Sequence, residues 1–526
     1  MHALGLNCDI FNGDSALYAS IAKNMAQSGD WLILNSIMQE NWIDKPHLAF
    51  WIWAVFIKIF GNTSFSFKLP SFIALLILLR YLFLFTKKFY GDITAWTAVL
   101  ILSSSLHIMI ATNDVRIDIF LISFMMAAIY HLQKYWEDIR IYQMLIGIFF
   151  SALAVMTKGI YVLIPIGLSF IIPFISEKNY RKMVYYHWLL ALVLLLIGIS
   201  PALYALKIQF DHFDNSLILG QKASNFLQFF FWDSQFGRFH SNLGQVQSHG
   251  DPSFYLHTLL WAFAPWSFFI FLAFFIKKNP LKEYISITCL AVMLVVISIS
   301  KTQLSHHSLI LLPFLSMIAA VIFRATFWRW QGRLSIAFIF LIFFSILIAS
   351  LYLTYILFGA LVPSKIVIAL IPAVILTLWS YYHVVQRVFI LFIAIAIYTG
   401  LYLNLLFYPE ILKYQSGRNA SNFVSKLDNT ESVEEFYVNI SLLNFYSSVP
   451  IRNTKIHNME ALLNKKNQLL VTNDYGLDFL KMSKVNYIIL EEFLDYRTTV
   501  LKMSFINKKT RESTCDKHYL IRINPY

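Results

Sequence analysis

Three short stretches set carboxylates and amines where chemistry could use them. Asp14 lies in NGDSALYASIAKNMAQSGDW, a polar stretch ahead of a long hydrophobic chain. WIDKP follows, with Asp44 and Lys45 before Pro46, and NDVRIDIF then sets Asp114, Arg116 and Asp118 at the start of an apolar run. A positioned carboxylate can accept a proton or orient a nucleophile, and a lysine holds phosphate as a compact point charge. Pro46 suits the first turn of a helix, and a helix N-terminus beside Lys45 would make an anion site. Asp114 and Asp118 share one face if a single helix covers both, with Arg116 pointing elsewhere. Plainer readings stand beside these. Asp14 would cap a helix beginning near Ser15, Asp114 and Asp118 would complement a helix dipole, and Lys45 would be a surface lysine.

Further along, MTKGIYVLIP sets Lys158 between two short apolar segments with no acid beside it in sequence. Such a lysine wants a phosphate or a distant carboxylate, unless it snorkels to the interface. In FFFWDSQFGRFHSNLGQVQSHGDPSFY an aromatic run meets Arg238, His240, His249 and Asp251. The guanidinium fork of Arg238 matches phosphate geometry, whereas the histidine spacing fits no standard zinc site. KTQLSHHSLILLPFL crowds Lys301, His306 and His307 at the mouth of another apolar run. Adjacent helical residues point about 100° apart, so at most one of the two histidines faces a given site.

The elements that must hold these groups are membrane helices. The chain has 526 residues, 58% hydrophobic, 17% aromatic and only 13% charged, against about a quarter charged in a soluble protein. Its 48 Phe and 28 Tyr suit a lipid-facing surface with aromatic belts. Twelve apolar runs approach the ~20 residues that cross a bilayer, at 68–86, 92–111, 118–132, 141–155, 160–176, 188–206, 253–276, 283–300, 303–323, 334–359, 365–382 and 386–406. Alternate loops are basic: Lys87 and Lys88; Lys134 and Arg140; Lys178, Arg181 and Lys182; Lys277, Lys278 and Lys282; Arg324, Arg329 and Arg333; Arg387. The positive-inside rule turns them to the cytoplasm. The N-terminal stretch, the 207–252 loop and everything after about 407 then lie outside, as an even number of spans requires. The same loops account for the net charge of +13 without nucleic acid. Met1 to Asp44 lacks a basic region followed by an apolar core, so no signal peptide is expected. Cys8, Cys289 and Cys515 are scattered and signal neither a disulfide framework nor a zinc site. From about 408 the pattern changes. VEEFYVNI, NQLLVTND and VNYIILEEF read as strands, MEALLNKK and YGLDFLKM as helices. This predicts a soluble α/β domain large enough to bury its own core.

The order of motifs resembles a known family. GDSALYASIAKNMAQSGDWLI followed by WIDKPHLAFWIWAVFIKIFG is similar to the first outer loop of polyprenyl-phosphate-sugar-dependent glycosyltransferases of the GT-C fold. These are the relatives of protein O-mannosyltransferases and of the lipid A aminoarabinose transferase. RIDIFLISF looks like their second acidic motif, MTKG like their lysine motif, FWDSQFGRF with DPSFYLHTLLWAFAPW like their long outer loop, and KTQLSHHSLILLP like the segment after it. The resemblance covers roughly 10–410. It implies a polytopic helical transferase domain over 1–407, with catalytic outer loops 1–67 and 207–252, and a periplasmic α/β domain over 408–526. It further implies inverting transfer of a sugar, an amino sugar among the candidates, from a polyprenyl-phosphate carrier to lipid A or another envelope glycolipid at the outer face of the bacterial inner membrane. Asp14 matches the catalytic carboxylate and Asp118 the second acid, with Asp114 its competitor. Lys45, Lys158 and Arg238 match groups near the donor phosphate. Tyr18, Asp44, Lys301, His306 and His307 are the expected substrate contacts.

The chain departs from the family at several places. The span expected before the first acidic motif is missing, and Leu17 stands where a basic or polar residue is usual. Gln235 and Asp44 take the places of a His and a Glu, which leaves a divalent metal open and no cofactor certain. A histidine replaces the tyrosine after the Lys301 motif. Two rival readings remain: the same chemistry on a protein hydroxyl, and a transporter or flippase. A transporter should carry polar residues at mid-span and repeated halves, whereas here the ionisable groups gather at one edge.

Overall fold

The computed structural model describes residues 1–36, 42–177, 187–212, 225–235, 251–272, 280–326, 333–359, 363–382, 387–427, 432–438, 440–453 and 467–523. Helix α1 (Asp14–Ser28) precedes α2 (Leu48–Phe60) and α3 (Ser64–Tyr90). A capping box starts α3: Ser66 N donates to Thr63 Oγ1 (3.2 Å), and Thr63 N donates to Ser66 Oγ (3.1 Å). These reciprocal bonds satisfy two amides that a helix start would otherwise leave bare. Then come α4 (Asp92–Ser104), α5 (Leu106–Asn113), α6 (Asp118–Asp138), α7 (Ile141–Lys158), α8 (Leu163–Glu177) and α9 (His187–His212).

Every one of the twelve apolar runs contains helix, but they do not all span alike. Among the described residues six helices are long and apolar enough to cross a bilayer, or seven if α4 and α5, bent by 56°, form one broken span. The run at 283–300 yields Ile285–Ile299, and that at 253–276 yields Phe254–Ala262 and Phe268–Leu272. At 1.5 Å per residue such pieces fall short of the ~30 Å hydrocarbon layer. Helix α6 is different again. It is apolar on nearly every side and buried along most of its length, because α3, α7 and α8 pack around it. A helix apolar all round belongs in an interior, and α6 is the axis of the bundle.

Beyond Arg387 the helical course runs past residue 407 to Tyr414. A five-stranded sheet follows, in the order β2-β1-β3-β5-β4: β1 (Val433–Glu435), β2 (Ile451–Asn453), β3 (Gln468–Asn473), β4 (Tyr487–Asp495) and β5 (Asp516–Ile523). Strand β1 runs parallel to β2 and β3, and β5 antiparallel to β3 and β4. The YGLDFLKM helix is present as Asp474–Met482, whereas MEALLNKK lies outside the described residues. This small C-terminal sheet domain does not stand apart from the helices. Leu442 and Phe445, from its Ser441–Tyr446 helix, are buried in the hydrophobic core of the bundle.

Candidate active site

Asp14 is the first residue of α1, after Gly13 at φ 90°, and no side chain caps that helix. Its carboxylate does not do so either. Arg116 Nη1 donates to Asp14 Oδ2 at 2.6 Å, and the same guanidinium gives Nε and Nη2 to Asp114 Oδ2 at 2.8 and 2.6 Å. The expectation that Arg116 points away from Asp114 therefore fails, because the helix it assumed does not form. Helix α5 ends at Asn113, Asp114 is its C-terminal cap, and α6 starts at Asp118. The turn between them swings Arg116 back over Asp114. Burial raises the pKa of Asp114, against the pull of Arg116. Burial also opposes the charge on Arg116, but Asp114 and Asp14 outweigh it, and its pKa rises.

Asp118 has a different partner. Lys158 Nζ donates to Asp118 Oδ1 at 2.6 Å, and both side chains are only 5% exposed. This is the distant carboxylate that an isolated membrane-edge lysine calls for. Lys158 ends α7, and Gly159 turns the chain at φ 112°. Lys45 is ion-paired with Asp44. It precedes α2 by more than one residue, since His47 and not Pro46 is that helix's N-cap, so the expected first-turn proline is displaced. Trp53, on α2, is fully buried.

Tyr18 is buried too. It stacks on Trp53 with ring centroids 5.8 Å apart and meets Trp42 and Phe50 edge-on. Its hydroxyl pKa is pushed well up, first by burial and then by the charges of Asp14 and Asp44, with smaller effects from Arg116 and Asp118. Groups from separate stretches of chain thus converge around one tyrosine.

A cavity of about 310 Å³ opens beside this cluster. Asp44, Lys45, Lys158, Ser234, Gln235 and His307 are polar residues of its lining, and Ile160, Ile164, Ala202, Leu206, Phe229, Phe230 and Ile297 make most of the rest apolar. His307 lines it, and its Nδ1 lies 3.3 Å from the Tyr255 hydroxyl. His306 packs against the His307 ring at 4.7 Å and lies in the field of Lys158, Arg116 and Lys45. Lys301 is exposed and does not line the cavity. Arg238, His240 and His249 lie outside the described residues. Among the described residues no group of three or more His, Cys, Asp or Glu could hold a metal ion.

Sequence reasoning missed three groups: Arg116 as a bridge, Tyr161 in the cavity wall, and Lys68. Lys68 is fully buried in the first turns of α3 and donates to the carbonyls of Gly5 and Asp9 at 3.1 and 3.2 Å. An ionisable residue at the head of an apolar run is the signal that points to it.

Fold and site together describe a multi-pass helical membrane protein with a C-terminal sheet domain. Residues 44–204 match the family model described as dolichyl-phosphate-mannose-protein mannosyltransferase. A relative from Wigglesworthia glossinidia brevipalpis, an undecaprenyl phosphate-alpha-4-amino-4-deoxy-L-arabinose arabinosyl transferase, is 27% identical over 319 residues, 57% of this chain and 52% of that protein. One of the same description from Shewanella sediminis is 25% identical over 276 residues, 50% of this chain and 46% of that protein. The chain thus spans about half the length of the curated relatives it matches. The crystal structure of ArnT from Cupriavidus metallidurans bound to undecaprenyl phosphate aligns at a TM-score of 0.75 and 15% identity, over 99% of this chain and 96% of that one. Its apo form aligns at 0.73. The chain thus has the GT-C type of fold of that transferase and is similar in sequence to the aminoarabinose transferases over about half their length.

Proposed function

We propose that the chain is a bacterial inner-membrane glycosyltransferase. It moves a sugar, 4-amino-4-deoxy-L-arabinose by analogy with its relatives, from undecaprenyl phosphate to lipid A, with inversion. The observation that carries this reading is the amphipathic cavity, lined by Lys45 and Lys158 among otherwise largely apolar side chains. A polyprenyl phosphate has the same two-part chemistry. Displacing the sugar leaves a phosphate, which cations stabilise without protonating it. Asp14, half exposed, activates an acceptor hydroxyl as general base. Facing an acceptor that is already a phosphate, it orients that group and stabilises charge developing on the sugar. Asp118 holds Lys158 at the cavity, and Arg238 of the outer loop is assigned to the donor phosphate. The reading takes residues 1–407 as the transferase unit and 408–526 as an α/β unit, with the site and the sheet on the periplasmic side. The basic loops at the other ends of the helices support that orientation.

The test is mass spectrometry of lipid A from a deletion strain carrying either the wild-type gene or an Asp14→Asn copy. The wild type restores the aminosugar adduct and the variant does not. An adduct restored in full by Asp14→Asn removes that residue from the chemistry, and a deletion strain with unchanged lipid A removes that acceptor. The mannosyltransferase model matching 44–204 favours a second reading, transfer to a protein hydroxyl. Glycopeptide analysis of the same strains separates the two.

A further inference from the structure

We infer that Arg116, anchored by the buried Asp114, is the positioning residue that aims the Asp14 carboxylate at its substrate. This rests on the glycosyl-transfer reading and assigns Asp114 a part distinct from that of Asp14. Asp114 and Asp14 share one guanidinium but differ in access, their side chains being 7% and 48% exposed. Only Asp14 can meet a substrate. Asp114 takes two of the guanidinium donors on a single oxygen, Oδ2, which fixes the planar fork and leaves Nη1 presented to Asp14. The turn carrying Arg116 is itself held at both sides: Arg116 N donates to Ala111 O at 3.2 Å, and Ile119 N donates to Arg116 O at 3.2 Å.

The surroundings of Asp114 also argue for an anchor. Its Oδ1 is buried and makes no hydrogen bond among the described residues, and Lys68 acts on it only through its field, its amine being bonded to main-chain carbonyls. A buried carboxylate with half its hydrogen-bonding capacity unused is a poor device for stability alone. It is a good device for immobilising an arginine that must hold a second, reachable carboxylate. Without this clamp Asp14, at the open end of α1, would sample several rotamers, and misplacement of a reacting group by about 1 Å can cost ~100-fold in rate.

The experiment uses the purified full chain, undecaprenyl phosphate-4-amino-4-deoxy-L-arabinose as donor and lipid A as acceptor. Arg116→Lys keeps the charge and loses the fork, and kcat is expected to fall ~10–100-fold with the donor KM within ~3-fold. Arg116→Gln/Asp114→Asn removes both charges, so it should keep a near-native melting temperature and lose at least as much kcat. This second variant decides the matter if Arg116→Lys folds poorly. In the Asp14→Asn background, single-turnover rates should change less than ~3-fold when Arg116→Lys is added, because both changes break one unit. Wild-type kcat in Arg116→Lys, a rise in KM alone, or losses that multiply in the Asp14→Asn background would overturn the inference. If Asp14→Asn itself turns over like the wild type, or the wild type transfers nothing from this donor, it is the glycosyl-transfer reading that falls.

Discussion

Asp118 and Lys158 form the most enclosed ion pair around the site, both side chains 5% exposed at 2.6 Å. Breaking such a pair leaves one buried charge uncompensated, which costs about 3–5 kcal/mol. Lys158→Met should therefore lower the melting temperature of the detergent-solubilised protein markedly. Asp118→Leu/Lys158→Met should recover most of that stability. Transfer activity should stay lost in both, since the proposed phosphate contact is gone. Equal activity in the double variant and the wild type would reduce the pair to a structural tie. Much at this scale was legible in the sequence: a lysine with no acid beside it needed a distant partner, and Asp118 sat in a motif of the right kind. The pairing itself was not legible, because α6 and α7 meet through tertiary packing.

Two glycines show how the elements constrain the site. Gly159 links α7 to the next helical turn at φ 112°, and a β-carbon there would lie 2.2 Å from the Gln235 amide nitrogen. Gly159→Ala is strained in its backbone, by about 1–3 kcal/mol, and pushes Gln235 off the cavity wall. The donor KM should rise along with a fall in melting temperature; an unchanged KM would separate Gln235 from donor binding. A β-carbon on Gly5 would lie 2.0 Å from Asn113 Oδ1 and 2.7 Å from Asn404 Oδ1. Both carboxamides are committed, their Nδ2 groups donating to Met109 O and Gly400 O at 3.0 and 2.8 Å, so they cannot swing away freely. Gly5→Ala should overpack this junction and destabilise by about 1–3 kcal/mol, read as a lower melting temperature.

For the whole molecule, the sheet domain and the helix bearing Asp14 are one construction. Lys23 Nζ donates to Asn444 O and Ser447 O at 2.5 and 2.7 Å, and Asn444 Nδ2 donates to Ser20 Oγ at 2.5 Å. Burial brings the Lys23 pKa down to about 8. Asn444→Leu leaves Ser20 and Asn24 facing an apolar side chain, and its effect should reach transfer rate as well as stability. Full activity in that variant would show the two parts to be independent. The sheet also carries its own pH response. Glu435 on β1 is 1% exposed, Ile440 N donates to its Oε1 at 3.2 Å, and burial pushes its pKa up to about 8. With the folded value raised, the native state holds the proton between about 4.5 and about 8, where the unfolded chain has released it. Stability is lost as pH rises through that window, by up to ~1.4 kcal/mol per pH unit. Glu435→Gln should flatten the melting temperature against pH from 5 to 8; an unchanged slope would rule Glu435 out as its source.

The sequence by itself determined the environment and the helices, and it pointed to a class of chemistry. Composition demanded a bilayer, apolar runs marked where helices form, and the order of the acidic, lysine and outer-loop motifs pointed to a lipid-phosphate glycosyltransferase fold. These are local properties of residues and short windows, and they survive translation into structure. Tertiary structure alone decided which charge answers which, Asp14 with Arg116 and Asp118 with Lys158, and that Tyr18 packs against Trp42, Phe50 and Trp53. It also decided that α6 is an interior axis and that the Ser441–Tyr446 helix belongs to the core of the bundle. Hydropathy cannot make these distinctions, because a helix apolar on every side reads the same whether lipid or protein surrounds it. A four-residue break such as that between α5 and α6 likewise redirects a side chain without leaving a mark in composition.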